Sequence, residues 1–342
     1  MNKLIYLLFI FVFWGCAQKI DTEIHHKKRD NVLNVRDKIK EIDTGDIFLS
    51  NFSQPYILND YLIVSDYKSF DKLIYIFDKN SFKYLTSTAE RGKGPGEIAS
   101  IGSLAVDEGN RIFYAIDHGK YRIFSFNLDS IFANPDYLPE EKIVMNEDLY
   151  PSYYFLKNDT IAVGKFSRQI GSSNYKPVVA KWNLKTGEIQ LMEYTGHPEI
   201  KRKRTDFAVS FENDIYVECY WHHDLMTIGS LTDGFKCNIY GRKWNNKHSN
   251  KDLYYGHVII TEDRIIAAYL GGDNFYKKEN GGIGANYPTK FLVFDLNGNY
   301  IQTLDIGYAI IEICYDRENR RIIMILDDEK LFSYLDLEGI LE

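Results

Sequence analysis

Cysteine is scarce in this chain: four in 342 residues, at positions 16, 219, 237 and 314. No two stand as Cys-x-x-Cys, and with Cys16 set aside an odd number remains. Neither a disulfide framework nor a thiolate metal site is encoded, and Cys219, Cys237 and Cys314 read as small buried side chains. Positive charge is also short, with 41 Lys and Arg against 48 Asp and Glu for a net charge of −7. A nucleic-acid binder would show a basic stripe, so that partner class is excluded. The run Lys201-Arg202-Lys203-Arg204 reads as a solvated loop. Gly-x-Ser-x-Gly is missing, as are the phosphate-loop pattern and His-Glu-x-x-His. These absences remove serine hydrolases of the nucleophile-elbow type, P-loop nucleotide binding and the common zinc-protease arrangement. Sustained helical periodicity is missing too.

What is present begins with a targeting segment. Lys3 precedes the apolar run "LIYLLFIFVF" (4–13), too short to span a bilayer as a resident helix. Phe13-Trp14-Gly15-Cys16 follows and resembles a bacterial lipobox, with Phe and Trp in place of the usual Leu and Ser or Ala. Residues 1–15 are therefore expected to be a signal peptide, and Cys16 to carry lipid. Residues 16–42, with "HHKKRD" inside, read as a polar tether. This places the chain in the cell envelope, membrane-anchored (for preference at the outer membrane), with its body in the periplasm or at the cell surface.

The remainder repeats. An alternating apolar strand that ends in Asp or Asn before a turn occurs as "IYIFDKN" (74–80), "RIFSFNLDS" (122–130), "VVAKWNLKTG" (178–187), "FLVFDLNGN" (291–299) and "LFSYLDLEG" (331–339), with a weaker copy, "IGSLTDG" (228–234). Aligning Asp78, Asn127, Asn183, Asp233, Asp295 and Asp336 spaces the copies roughly 40 to 60 residues apart, the period of propeller blades. With 26 Tyr and 21 Phe suited to pleated surfaces, residues 43–342 read as one all-β domain. It is a six-bladed β-propeller of four-stranded antiparallel blades, strands A to D from channel to rim. The last copy ends after strand C, so an N-terminal strand, "GDIFLSN" (45–51), is expected to complete blade six.

"YLIVSD" (61–66), "IYIFDKN" and "GKGPGEI" (92–98), behind a lipoprotein signal, look like the TolB-like six-bladed propeller lipoproteins of bacteria. The strand-plus-Asp pattern is similar to NHL-type blades. The resemblance implies the fold and the envelope location and brings no catalytic set.

The loop "RGKGPGEI" (91–98) lies between strand D of blade one and strand A of blade two, followed by a strand rather than a helix. It is read as structural, with Arg91 paired to Glu97 across it. The same face of the disc, where D–A links and B–C turns emerge, collects His118, "YWHHD" (220–224), His197, His248 and His257, all assigned to links or turns. Trp221, His222, His223, Asp224, Arg91, Glu97, His118 and His257 are thus the ligand-binding candidates, forming a pocket at the channel mouth. Asp66, Asp117 and Asp327 end strand B in three blades and read as turn staples. The long loop 271–288 adds aromatic side chains. The leading reading is a binding or interaction propeller for a glycan, a peptide or a partner protein of the envelope, with no cofactor identified. The rival is a propeller enzyme, a lyase or hydrolase using these imidazoles and carboxylates, with or without a divalent metal.

Overall fold

Each copy of the repeat becomes strand C of a blade. The computed structural model describes residues 22–341 apart from 135, 173 and 195; the signal segment and Cys16 lie outside the described residues. Blade one is Ser53–Leu58, Tyr61–Asp66, Lys72–Asp78 and Tyr84–Glu90. Blade two is Ile101–Asp107, Ile112–Asp117, Arg122–Asn127 and Glu140–Val144, with the short helix Leu128–Ala133 between its last two strands. Blade three is Leu149–Leu156, Ile161–Gly171, Asn174–Asn183 and Ile189–Leu191. Blade four is Thr205–Ser210, Ile215–Tyr220, Leu225–Ser230 and Gly234–Tyr240. Blade five is Asp252–Ile260, Arg264–Asp273, Lys290–Asp295 and Tyr300–Asp305. Blade six contributes Ile310–Asp316, Arg321–Leu326 and Phe332–Asp336.

The repeated polar residue after strand C works as a turn staple, because a short side-chain acceptor can close the turn on its own backbone. Asp78 accepts from the Ser81 amide at 2.7 Å, Asn183 from Lys185 at 3.0 Å and Asp295 from Asn297 at 2.9 Å. Asn127 caps the short helix through the Ser130 amide at 2.9 Å. Blade four differs from the alignment. Its strand C ends at Ser230, whose hydroxyl accepts from the Thr232 and Asp233 amides, so Ser230 rather than Asp233 holds the equivalent place.

Apolar side chains pack between blades rather than around one centre. Leu104, Phe113 and Phe126 meet Ile63, Ile74 and Ile76 between blades one and two. Ile266, Phe291 and Val293 meet Ile322 and Met324 between five and six. Val64 and Phe77 meet Ile323 and Ile325 where the ring closes between six and one.

Closure departs from the expected segment. Three strands run before blade one: β1 (Glu23–His25), β2 (Val32–Asn34) and β3 (Lys40–Glu41). β1 pairs in parallel with strand D of blade four, and β2 in parallel with strand D of blade five. β3 pairs antiparallel with Tyr334 and Ser333 as the missing strand of blade six. The closing strand is therefore at 40–41, inside the stretch read as a tether, and 45–51 is not a strand. The physical reason is burial. Val35, Ile39 and Ile42, spaced among charges, are each at most 4 % exposed, and they belt the segment to the rim.

Candidate functional site

Six strands A face the central channel, and each brings one polar side chain to the same cavity: Gln54, Ser103, Ser152, Asp206, His257 and Glu312. Regular alternation does not produce this row. The pairing of strands A and B slips between Ile101 and Leu104, Pro151 and Tyr153, Tyr255 and Val258, and Ile310 and Glu312. Each slip is a bulge that re-aims side chains toward the channel, at Ser103, Ser152, His257 and Glu312 in turn. His257 thus lies within a strand and not, as its sequence position suggested, in a D–A link. Gly102 is needed at its bulge because a Cβ there would come within 2.6 Å of the His118 ring.

At the waist the His257 Nδ1 lies 2.7 Å from Asp206 Oδ2 and 3.3 Å from Glu312 Oε2. At these distances the imidazolium is attracted to both carboxylates, to Asp206 the more strongly. Burial disfavours the imidazolium, but Asp206 and then Glu312 outweigh it and carry the His257 pKa up to about 9. Burial dominates at Glu312 and pushes its carboxyl up to about 7 despite His257. Asp206 moves the other way: burial opposes its charge, and His257 with Lys165 overcomes it, lowering its pKa. Burial lowers Lys165, whose ammonium donates to the Thr205 carbonyl at 2.5 Å. Gln54 donates to Glu312 at 3.2 Å and accepts from the Tyr56 hydroxyl at 2.9 Å.

The waist separates two vestibules that share Pro55, Tyr56, Tyr153, Asp206, His257 and Ile313. The larger, about 1170 Å³, opens among the A–B turns, with Asp60, Glu108, Glu262 and Arg317 at its mouth. The smaller, about 400 Å³, opens on the B–C face and is walled by Phe52, Tyr67, His118 and Trp221. Burial lowers the His118 pKa, so its ring enters the wall as a neutral imidazole. Trp221 is fixed through its backbone, its N–H to Arg204 and its carbonyl to the Tyr254 amide.

The expected pocket is therefore divided. His118, Trp221 and His257 reach the channel. His222, His223 and Asp224 share the B–C face with them but are buried in blade packing. The His222 ring bonds the Asp252 carbonyl at 2.8 Å, and His223 the Asn245 carbonyl at 3.1 Å. Asp224 pairs with Arg29 of the belt at 2.9 Å. The belt and the link 241–251 close over this turn, which the sequence does not reveal. Arg91 does not pair with Glu97. Its guanidinium donates to the Ser69 and Tyr67 carbonyls, while Glu97 accepts from the Gly94 amide at 2.6 Å. Lys120 then ties the Gly94 and Glu97 carbonyls, each at 2.8 Å, which makes the glycine loop a self-contained structural corner. The staple reading of Asp66 and Asp117 agrees with the contacts: Asp66 accepts from Ser50 and Lys68, Asp117 from Ala99, Ser100 and Gly119. Asp327 instead accepts from the Asn51 side chain at 2.9 Å. Asp206, Glu312, Gln54 and Lys165 were not singled out in the sequence, since single polar residues in apolar strands carry no spacing signal. Among the described residues no group of three or more His, Cys, Asp or Glu is arranged to hold a metal ion.

A family model described as a 6-bladed beta-propeller, DUF5128, matches residues 24–230. None of the curated proteins matches the sequence. Among solved structures, a member of the DUF4221 family from Bacteroides vulgatus is similar at a TM-score of 0.57 and 13 % identity, covering 87 % of this chain and 95 % of its own. A candidate exported protein from Bacteroides fragilis is similar at 0.55 and 13 %, covering 92 % and 98 %. A luciferin-regenerating enzyme is similar at 0.55 and 9 %, covering 86 % and 94 %. At these identities the likeness is one of fold.

Proposed function

Since the chain belongs to this DUF5128 family of 6-bladed beta-propellers, we propose that it is a binding propeller for a glycan. The end or a short segment of the glycan would sit in the smaller vestibule, and lipid on Cys16 would hold the propeller at the cell envelope. One observation carries the binding reading: six blades each deliver a polar side chain to the smaller vestibule, which Phe52, Tyr67 and Trp221 also line with aromatic rings. A saccharide offers hydroxyls to carboxylate, amide and imidazole groups and C–H faces to rings, and the vestibule supplies both kinds of partner at the scale of a small-ligand site. Binding of oligosaccharides should quench or shift tryptophan fluorescence. Trp221→Ala and Asp206→Asn should each weaken that binding about tenfold or more, consistent with losing a stacking ring or a charged hydrogen-bond acceptor. Absence of saturable binding across a broad glycan panel would remove the reading.

A second reading rests on Glu312. A carboxyl held up to about 7 beside a protonated imidazole is able to carry a proton at neutral pH, as a general acid does. A lyase or hydrolase acting on the same ligand would use it, and Glu312→Gln would then abolish turnover while leaving binding. The anchor is tested separately: a fatty-acid probe should label the wild type and fail to label Cys16→Ala.

A further inference from the structure

A second cleft, of about 450 Å³, lies at the rim where the belt crosses from blade four to blade five. Its walls carry Lys27 and Lys28 from the turn between β1 and β2, Arg242 and Lys243 from the link after blade four, and Lys290 from strand C of blade five. Its carboxylates are few. Asp224 is already neutralised by Arg29, leaving Asp30 to oppose five cations. Lys243 donates its ammonium to the Gly271 carbonyl at 2.5 Å. Lys27, Lys28, Arg242 and Lys290 make no ion pair or side-chain hydrogen bond with any described residue. Like charges held this close repel unless an anion lies between them. In a chain of net charge −7, such a concentration is a local feature that the average charge does not explain.

We propose that this cleft takes the phosphate of anionic phospholipid headgroups, so that the rim of blades four and five faces the membrane. The choice of lipid as the source of phosphate rests on the anchor at Cys16; the choice of phosphate does not. From Cys16 to Glu23, where the first described strand starts at the blade-four rim, the chain can span at most about 25 Å even when fully extended. A lipidated Cys16 would therefore hold the cleft beside the bilayer, where it faces headgroups. Lys247, Lys251, Lys277 and Lys278, on the segments 241–251 and 271–288, are exposed as well.

The test uses the unacylated chain from residue 17, which contains every described strand. Binding is read by co-sedimentation with phosphatidylcholine vesicles and with vesicles half phosphatidylglycerol. The wild type should bind the anionic vesicles at least tenfold more tightly, and less so as salt rises. Each basic residue near such a surface is worth roughly a fivefold change in binding. The variant with Lys27, Lys28, Lys290 and Arg242 all changed to Gln should thus lose up to about 600-fold, and with it the preference for anionic vesicles, at unchanged melting temperature. Changing Lys83, Lys142 and Lys157 to Gln, on blades one to three, should leave binding intact. Equal binding to both vesicle types, or an undiminished quadruple variant, would overturn the proposal. Tight calorimetric binding of inorganic phosphate or glycerol phosphate without vesicle preference would also overturn it and assign a soluble phosphate instead. Loss of vesicle binding with normal fatty-acid labelling at Cys16 would sink the cleft alone and leave the anchor standing.

Discussion

An imidazole in open water titrates near 6.5, whereas His257 sits between Asp206 and Glu312 and holds its proton to about 9. Its folded pKa is above the unfolded one, so its contribution to stability is fully present below about 6.5 and fades as the pH rises through 9. Glu312 has the same sign. Its carboxyl is raised to about 7, so the fold favours the protonated form, and stability is lost as pH rises from the ordinary carboxyl range through 7. Both residues make the waist weaker in alkali. An NMR titration should place the His257 midpoint near 9, and Asp206→Asn should bring it back toward 6.5. Glu312→Gln should flatten the decline in melting temperature between pH 5 and 8 by about 2 °C, the scale of a small free-energy change in a domain this large. A wild-type midpoint below 7 would show that the carboxylates do not govern this ring.

At the scale of elements the belt decides the argument. Val35, Ile39 and Ile42 fill sockets at the rims of blades five and six and beside blade one, although the surrounding sequence is charged. Ile39→Ala should cost about 2–4 kcal/mol in denaturant unfolding, as truncation of a buried aliphatic does. Removing residues 22–42 should leave three strand edges bare and the protein prone to aggregate; a truncated chain with wild-type melting would refute the belt's role. The repeat was legible because strand C copies share a pattern that recurs roughly every 40 to 60 residues. The belt was not, since two- and three-residue strands show no alternation and three apolar residues among many charges look like linker. His118, Trp221 and His257 were found, and the rest of the site was hidden for a related reason. It is assembled from one residue per blade, and bulges set which residue points inward. "YWHHD" has the composition of a site and is sealed, whereas "YYGHV" (254–258) does not and reaches the channel.

Over the whole molecule, stability is distributed among six interfaces between blades rather than held in one core, and protrusions on the B–C face stand outside that system. The hairpin Phe275–Lys277 with Ile283–Ala285 is paired only with itself, and its Phe275, Tyr276 and Ile283 are about half exposed or more. Trypsin should therefore cut first at Lys277 or Lys278, and the nicked protein should keep its melting transition and its two halves together. Early cleavage at Lys38 or Lys40 instead would mean that the belt opens more readily than its buried side chains imply.

The belt's partners also dictate an order in time. Arg29 meets Asp224, His26 meets the carbonyl of Gly298, and Lys40 meets Asp336, separations of 195, 272 and 296 residues along the chain. The belt's three strands find their partners one after another, on blades four, five and six. Ring formation is consequently a late event, slow to nucleate because a loop of hundreds of residues must be drawn together before any contact repays it. A chain made N-terminus first would carry its fastening strip free until blade four is complete, and only the arrival of its last strand would let the final two residues of the strip be laid down.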